Sequence, residues 1–319
     1  MRATLRIATR GSRLALWQAH WVKSQIQQHF PEQTVELVIV QTKGDRIQDR
    51  PLSQVGGKGL FIKELEATLL RGEADLAVHS LKDVTGEVPE GLVMPVVTAR
   101  EDFRDALIAP RQVSFDELPS GAVVGTSSLR RAAQLLHLRP DLEIQSIRGN
   151  VETRLGKVDS GAFDATLLAV AGLKRLELES RIAEVFSAET LLPAIGQGVL
   201  GLELREDDPE TLNLIQPLQD ETTALCCQAE RRLLERLEGS CQVPLAGLCE
   251  QRGVRLKLRG QLLSPDGRRS VEHEAESAAT PEAARALGDE VADAILNSGG
   301  REILAALSTH PQANRPHGQ

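Results

Sequence analysis

Val123-Val124-Gly125-Thr126-Ser127-Ser128-Leu129-Arg130-Arg131 is a short β-branched run that stops at a glycine and three hydroxyl residues, then continues with a helical pattern. Ser127 or Ser128 can cap that helix, and two arginines follow within its first turn. The same unit recurs along the chain. Apolar runs at 5–9, 35–41, 76–79, 143–147 and 165–169 also read as strands, with helix-length segments between them. This alternation predicts α/β sheets whose ligand sites lie on loops at the strand ends.

Glycine and proline punctuation near 87–91 and 110–119 divides the α/β region into a first lobe, residues 1–98, and a second, 99–193. After Pro217 the organisation changes, and 218–307 reads as a smaller C-terminal α+β domain. Asp220 caps a long helix in which Cys226, Ala229, Leu233 and Leu237 share one face, and Gly239 stops it. A strand pair around 254–263 turns at Pro265-Asp266-Gly267. A last helix starts at Thr280-Pro281, turns Leu287, Val291, Ala294 and Ile295 to the core, and ends at Gly299-Gly300. Residues 308–319 lack apolar periodicity and are expected to form a disordered tail.

With 319 residues, 41% of them hydrophobic and 26% charged, the chain is expected to be soluble and globular. The N-terminus carries no signal-peptide pattern, and no apolar run approaches the roughly 18 residues of a membrane span. Four cysteines without a regular framework fit a reduced, cytoplasmic protein. A net charge of −8 argues against binding nucleic acid by phosphate neutralisation.

The cationic residues are distributed more tellingly than they are counted. They gather at glycine- or serine-rich loops: Arg10-Gly11-Ser12, Gly56-Gly57-Lys58-Gly59, Ser80-Leu81-Lys82-Asp83, Thr126 to Arg131, Arg148-Gly149-Asn150 with Arg154, and Lys174-Arg175. Free N–H groups at a helix start beside a guanidinium make an anion site, and guanidinium forks fit carboxylates or phosphates in a bidentate way. No P-loop and no dinucleotide fingerprint is present, which favours a polycarboxylate ligand. Asp83, beside Lys82 at the end of an apolar strand, is placed to stabilise a cation or to cap a turn. Histidine and cysteine spacing supports no metal site.

Gly239-Ser240-Cys241-Gln242-Val243-Pro244 places one thiol on a turn, as a covalent anchor or as a small buried hydrophobe. Two other readings stay open on these residues alone. One is a binding module that captures its anion unchanged, and the other a Schiff-base enzyme using Lys82 or Lys58.

Taken in order, RIATRGSRLALWQ (6–18), QVGGKGLFIKELE (54–66), AVHSLKDV (77–84), VVGTSSLRR (123–131), IRGNVETRL (147–155), LAVAGLKRL (168–176), PAIGQG (193–198) and GSCQVP (239–244) resemble the porphobilinogen deaminases, or hydroxymethylbilane synthases. The resemblance spans residues 5 to 300. It implies a transferase that polymerises four porphobilinogen molecules into linear hydroxymethylbilane with release of ammonia, in tetrapyrrole biosynthesis. It also implies a dipyrromethane cofactor, held by a thioether to Cys241. By motif position Asp83 is the catalytic residue. Lys82, Asp83, Ser128, Arg130, Arg131, Arg148 and Arg154 hold the cofactor, while Arg10, Ser12, Lys58, Phe61 and Arg175 bind substrate. The implied fold is two lobes like those of periplasmic binding proteins, with the segment from Pro193 returning residues 194–217 to lobe one, in a monomer without membrane or nucleic-acid partners. Thr85 stands where proline commonly follows the aspartate-valine pair, and Gln54 where a basic residue is common.

Overall fold

In a computed structural model, which describes residues 3–42, 62–84, 88–237 and 243–309, β1 (Thr4–Thr9) buries Leu5, Ile7 and Ala8. Ser12 then caps α1 (Arg13–His29) by accepting the Ala15 N–H. β2 (Thr34–Ile39), α2 (Lys63–Leu70), β3 (Leu76–Ser80) and β4 (Leu92–Val97) follow. Next come β5 (Asp105–Ile108), β6 (Val123–Gly125), α3 (Leu129–Leu138), β7 (Glu143–Gln145), α4 (Val151–Asp159), β8 (Ala165–Ala169), α5 (Val170–Arg175) and β9 (Glu184–Val185). The remainder is β10 (Leu200–Arg205), α6 (Pro209–Ile215), α7 (Glu221–Arg236), β11 (Leu245–Arg252), β12 (Arg255–Leu263), β13 (Ser270–Ala278), α8 (Pro281–Ile295) and α9 (Arg301–Thr309).

Two sheets repeat one plan. The first has the order β2-β1-β3-β10-β4, and the second β7-β6-β8-β5-β9. In each, three parallel strands are followed by one antiparallel strand. That fourth strand is the one laid down just after the chain passes between its two compact units: β5 after residues 101–102, β10 after 197–198. The described residues up to 101, with 198–224, make one unit, and 102–197 with those from 225 onward the other. Each of these two sheets lies within one unit. Parallel neighbours place their following loops at the same sheet end, which is what positions the site.

The third sheet is the antiparallel meander β11-β12-β13, covered by α7 and α8. Cys226, Ala229, Leu233 and Leu237 lie along the buried face of α7, and Asp220 accepts the Thr223 N–H at 2.7 Å as the cap. Thr280 caps α8 with Pro281 in its first turn, and Leu287, Val291 and Ile295 are buried as expected. Ala294 is only half-buried, because Ala284 and Ala292 supply the small core positions of α8.

Several boundaries differ from the sequence reading. The strand expected at 35–41 is Thr34–Ile39, and the one expected at 143–147 ends at Gln145, where Ser146 and Ile147 turn into the loop before α4. Gly299-Gly300 does not close the C-terminal helical region. Gly299, at φ +110°, lies in a π turn, Leu296–Gly300, and α9 continues beyond it. Ser308 and Thr309, placed in the tail by the sequence, end α9, and the tail beyond them lies outside the described residues. Among the described residues no helix is long and apolar enough to cross a membrane.

Candidate functional site

β1 and β3 are adjacent and parallel, so Arg10-Gly11-Ser12 and Ser80-Leu81-Lys82-Asp83 leave the same end of the first sheet. Gln18, buried on α1, joins them: its Nε2 donates to Ser80 Oγ at 2.8 Å. Leu81 to Asp83 form a single 3₁₀ turn, held by buried Leu81 and Val84 and by the Leu81 N–H bond to the Val199 carbonyl at 3.0 Å. Asp83 is exposed, Lys82 and Arg10 are half-buried, and Ser12 is occupied as a helix cap. The fixed turn thus presents a carboxylate to solvent.

Beneath this turn sits a buried ionisable group that sequence reasoning missed. His79 Nε2 lies 2.8 Å from Glu203 Oε2, and both side chains are nearly fully buried. Burial, then the charge of Glu203, pushes the Glu66 carboxyl on α2 above the ordinary glutamate range, while His79 and Lys63 oppose the shift. A carboxyl raised in the folded state favours folding while protonated, and that benefit is lost as pH rises through its folded value. Glu66→Gln is therefore expected to unfold at a higher temperature than the parent at about pH 8, with the gap closing towards about pH 4. Thermal melts at the two pH values check this, and an unchanged gap would refute it.

In the second sheet β7, β6 and β8 are parallel neighbours, and their following loops carry the remaining expected residues. Ser127 Oγ donates to the Ile147 carbonyl at 2.6 Å and lies 2.9 Å from Ser146 Oγ, which stitches the first two loops together. Ser128 caps α3 and Asn150 caps α4. Arg148, Arg154 and Arg175 are half-buried, with Arg154 Nε donating to the Gly149 carbonyl at 3.0 Å. Gly149 sits at φ +118°, and a Cβ there would lie 2.5 Å from Thr153. Gly149→Ala is expected to cost about 1–3 kcal/mol in backbone strain, read as a lower urea midpoint. An unchanged midpoint would count against the strained turn.

Arg130 and Arg131, at the start of α3, are 5% and 6% exposed. Arg130 donates to the Leu192 carbonyl and to Asp105 Oδ2, both at 2.8 Å. Arg131 donates to the Leu167 carbonyl at 2.9 Å and to Asp105 Oδ1 at 2.6 Å. Two guanidiniums therefore share one buried carboxylate, and the buried Nε of each has no hydrogen-bond partner among the described residues. Burial pulls the Arg130 guanidinium below its ordinary value, Asp105 opposes this, and the like charge of Arg131 adds to it. An excess of buried positive charge with unmet donors suits an added carboxylate, so these residues fit a polycarboxylate cofactor.

Cys241, Lys58, Phe61, Gln54 and Thr85 lie outside the described residues. Cys226, Cys227 and Cys249 are buried. Gln18, Asp105 and Gln197 support the expected residues without having been singled out by the sequence.

Loops carrying cationic and hydroxyl side chains follow parallel strands in both sheets, the place where α/β proteins form their ligand sites. Residues 5–213 match the family described as porphobilinogen deaminase, dipyromethane cofactor binding domain, and 224–297 match the porphobilinogen deaminase C-terminal domain. The chain belongs to the porphobilinogen deaminase family. It is accordingly an enzyme of tetrapyrrole biosynthesis with a dipyrromethane cofactor. It is 53% identical over 310 residues, 97% of this chain and 98% of the other, to the porphobilinogen deaminase of Syntrophotalea carbinolica. It is 52% identical over 300 residues, 94% and 96% of the two chains, to that of Pelobacter propionicus. Among solved structures, it is similar to the methionine binding protein MetQ at 13% identity and a TM-score of 0.45, covering 74% of this chain and 96% of that one.

Proposed function

We propose that this chain joins four porphobilinogen molecules head to tail, releases ammonia at each addition, and frees linear hydroxymethylbilane by hydrolysis. When bound, the dipyrromethane supplies the pyrrole end on which assembly begins, and a thioether to Cys241, which resists hydrolysis, retains it. The observation that carries this reading is the buried Arg130–Arg131 pair on a single carboxylate. Each pyrrole ring brings an acetate and a propionate, so the ligand supplies the charge this pair is missing.

Lys82, Ser128, Arg130, Arg131, Arg148 and Arg154 hold cofactor carboxylates through charge-assisted hydrogen bonds. Arg10, Ser12 and Lys58 bind incoming carboxylates with Arg175, and Phe61 offers a face to a pyrrole ring. The Asp83 carboxylate stabilises positive charge developing on a pyrrole nitrogen and carries a proton as bonds form and break. The chain acts as a cytoplasmic monomer without nucleic-acid partners. Its domains are 1–98 with 194–217, 99–193, and 218–307, the last carrying Cys241.

Incubation with porphobilinogen tests the reading. Ammonia release together with intact-mass increments of one pyrrole unit is expected, whereas unconsumed porphobilinogen would leave a binding protein instead.

A further inference from the structure

Asp105 does more than neutralise charge. It is fully buried at the first position of β5, three residues after the chain enters its unit at 102. Besides both guanidiniums it accepts Gln197 Nε2 at 2.9 Å, and the same amide nitrogen donates to the Phe103 carbonyl at 2.7 Å. Gln197, also fully buried, is the last residue before the chain leaves that unit. One carboxylate thus connects the arginine pair to both connecting segments, 102–105 and 194–197. Just beyond, Glu101 N–H bonds to the Gly198 carbonyl at 3.2 Å, and a Cβ on Gly198 would lie 2.4 Å from the Glu101 carbonyl oxygen. The two segments run against each other with no room for a side chain there.

Resting on the cofactor reading above, we infer that Asp105 is a positioning residue. It holds Arg130 and Arg131 as a preformed anion site and transmits the arrival of cofactor carboxylates to the connecting segments through Gln197. The physical basis is the charge count. With two guanidiniums on one carboxylate, the unloaded pair repels itself and competes for Asp105; added carboxylates relieve that competition and leave Asp105 firmly held. Held in turn by Asp105, Gln197 and the Phe103 carbonyl lose freedom, so loading orders two stretches of chain that themselves bind no ligand.

Hydrogen exchange on the full chain tests this, comparing protein made in a host lacking porphobilinogen with the same protein loaded afterwards, the loading being checked by intact mass. In the parent, loading is expected to slow exchange at 102–106 and 194–198 at least tenfold. In Asp105→Asn the slowing should fall below twofold although the mass shows the cofactor attached, and Asp105→Glu should recover part of it. A merely structural carboxylate would speed exchange equally in both forms. Gln197→Met keeps the arginine pair on Asp105 and is expected to retain slowing at 102–106 while losing it at 194–198. That variant decides the matter even if Asp105→Asn fails to fold, and full slowing at 194–198 in it would overturn the proposal. A parent that loads without any change in exchange overturns it alone, whereas a parent that gains no pyrrole mass overturns the deaminase reading together with it.

Discussion

Cys241→Ser is expected to have the mass of its bare polypeptide, while the loaded parent carries an excess equal to two linked pyrrole units. A thiol ionises near pH 8.5 and its thiolate is a strong carbon nucleophile, whereas a serine hydroxyl has no comparable anionic form at neutral pH. Substitution by another thiol is blocked, because Cys226, Cys227 and Cys249 are all buried, the first and last inside the core of the third sheet. Product formation should consequently fall below detection in the variant. Retention of the two-pyrrole excess by Cys241→Ser would show that attachment lies elsewhere and would remove the covalent-anchor assignment.

How much of this was legible beforehand depended on whether the relevant signal is local. β6 and β8 match their sequence bounds, since a β-branched or apolar run flanked by loop residues is its own punctuation. β4 escaped because Pro95 interrupts it. The strand tolerates that proline because, among the described residues, it is an edge strand paired only to β10, with Pro95 exposed and the register shifted nearby. β9 is two residues long and carries too little pattern to read. α9 escaped because two glycines ordinarily stop a helix, and here Gly299 takes the left-handed conformation inside a π turn.

The same contrast divides the candidate site. Arg10 and Arg148 stand next to a glycine in loops that follow strands, Lys82 and Asp83 lie in the turn directly after β3, and Arg154 is in the first turns of α4, so local pattern alone could single them out as candidates. Asp105 was not legible, since Arg130, Arg131 and Gln197, which donate to its carboxylate, lie 25, 26 and 92 positions away. Gln18 was equally silent, its partner Ser80 being 62 positions distant. Nothing local marks a carboxylate or amide whose role is to hold another residue. Arg130 and Arg131 illustrate both halves: their motif pointed to an anion, but only packing reveals that they are buried and already share a counter-ion.

Asp83→Asn is expected to lower kcat for porphobilinogen consumption by about 10²–10⁴-fold, the range associated with losing a positioned acid or base. The exposed side chain sits on a turn anchored by Leu81 and Val84, so an amide of the same shape leaves those anchors in place. Stability should then change by less than about 0.5 kcal/mol, as for an ordinary surface substitution. The amide cannot accept a proton at neutral pH and offers no negative charge to a cationic pyrrole nitrogen. Ground-state carboxylate contacts are made by other residues in this reading, so KM should move much less than kcat, separating a catalytic role from a binding one. Intact mass gives a second axis: the variant should still attach its cofactor while the increments of single pyrrole units accumulate slowly. If kcat were preserved and KM rose instead, Asp83 would be a substrate-binding residue and the stabilising charge would have to come from another carboxylate.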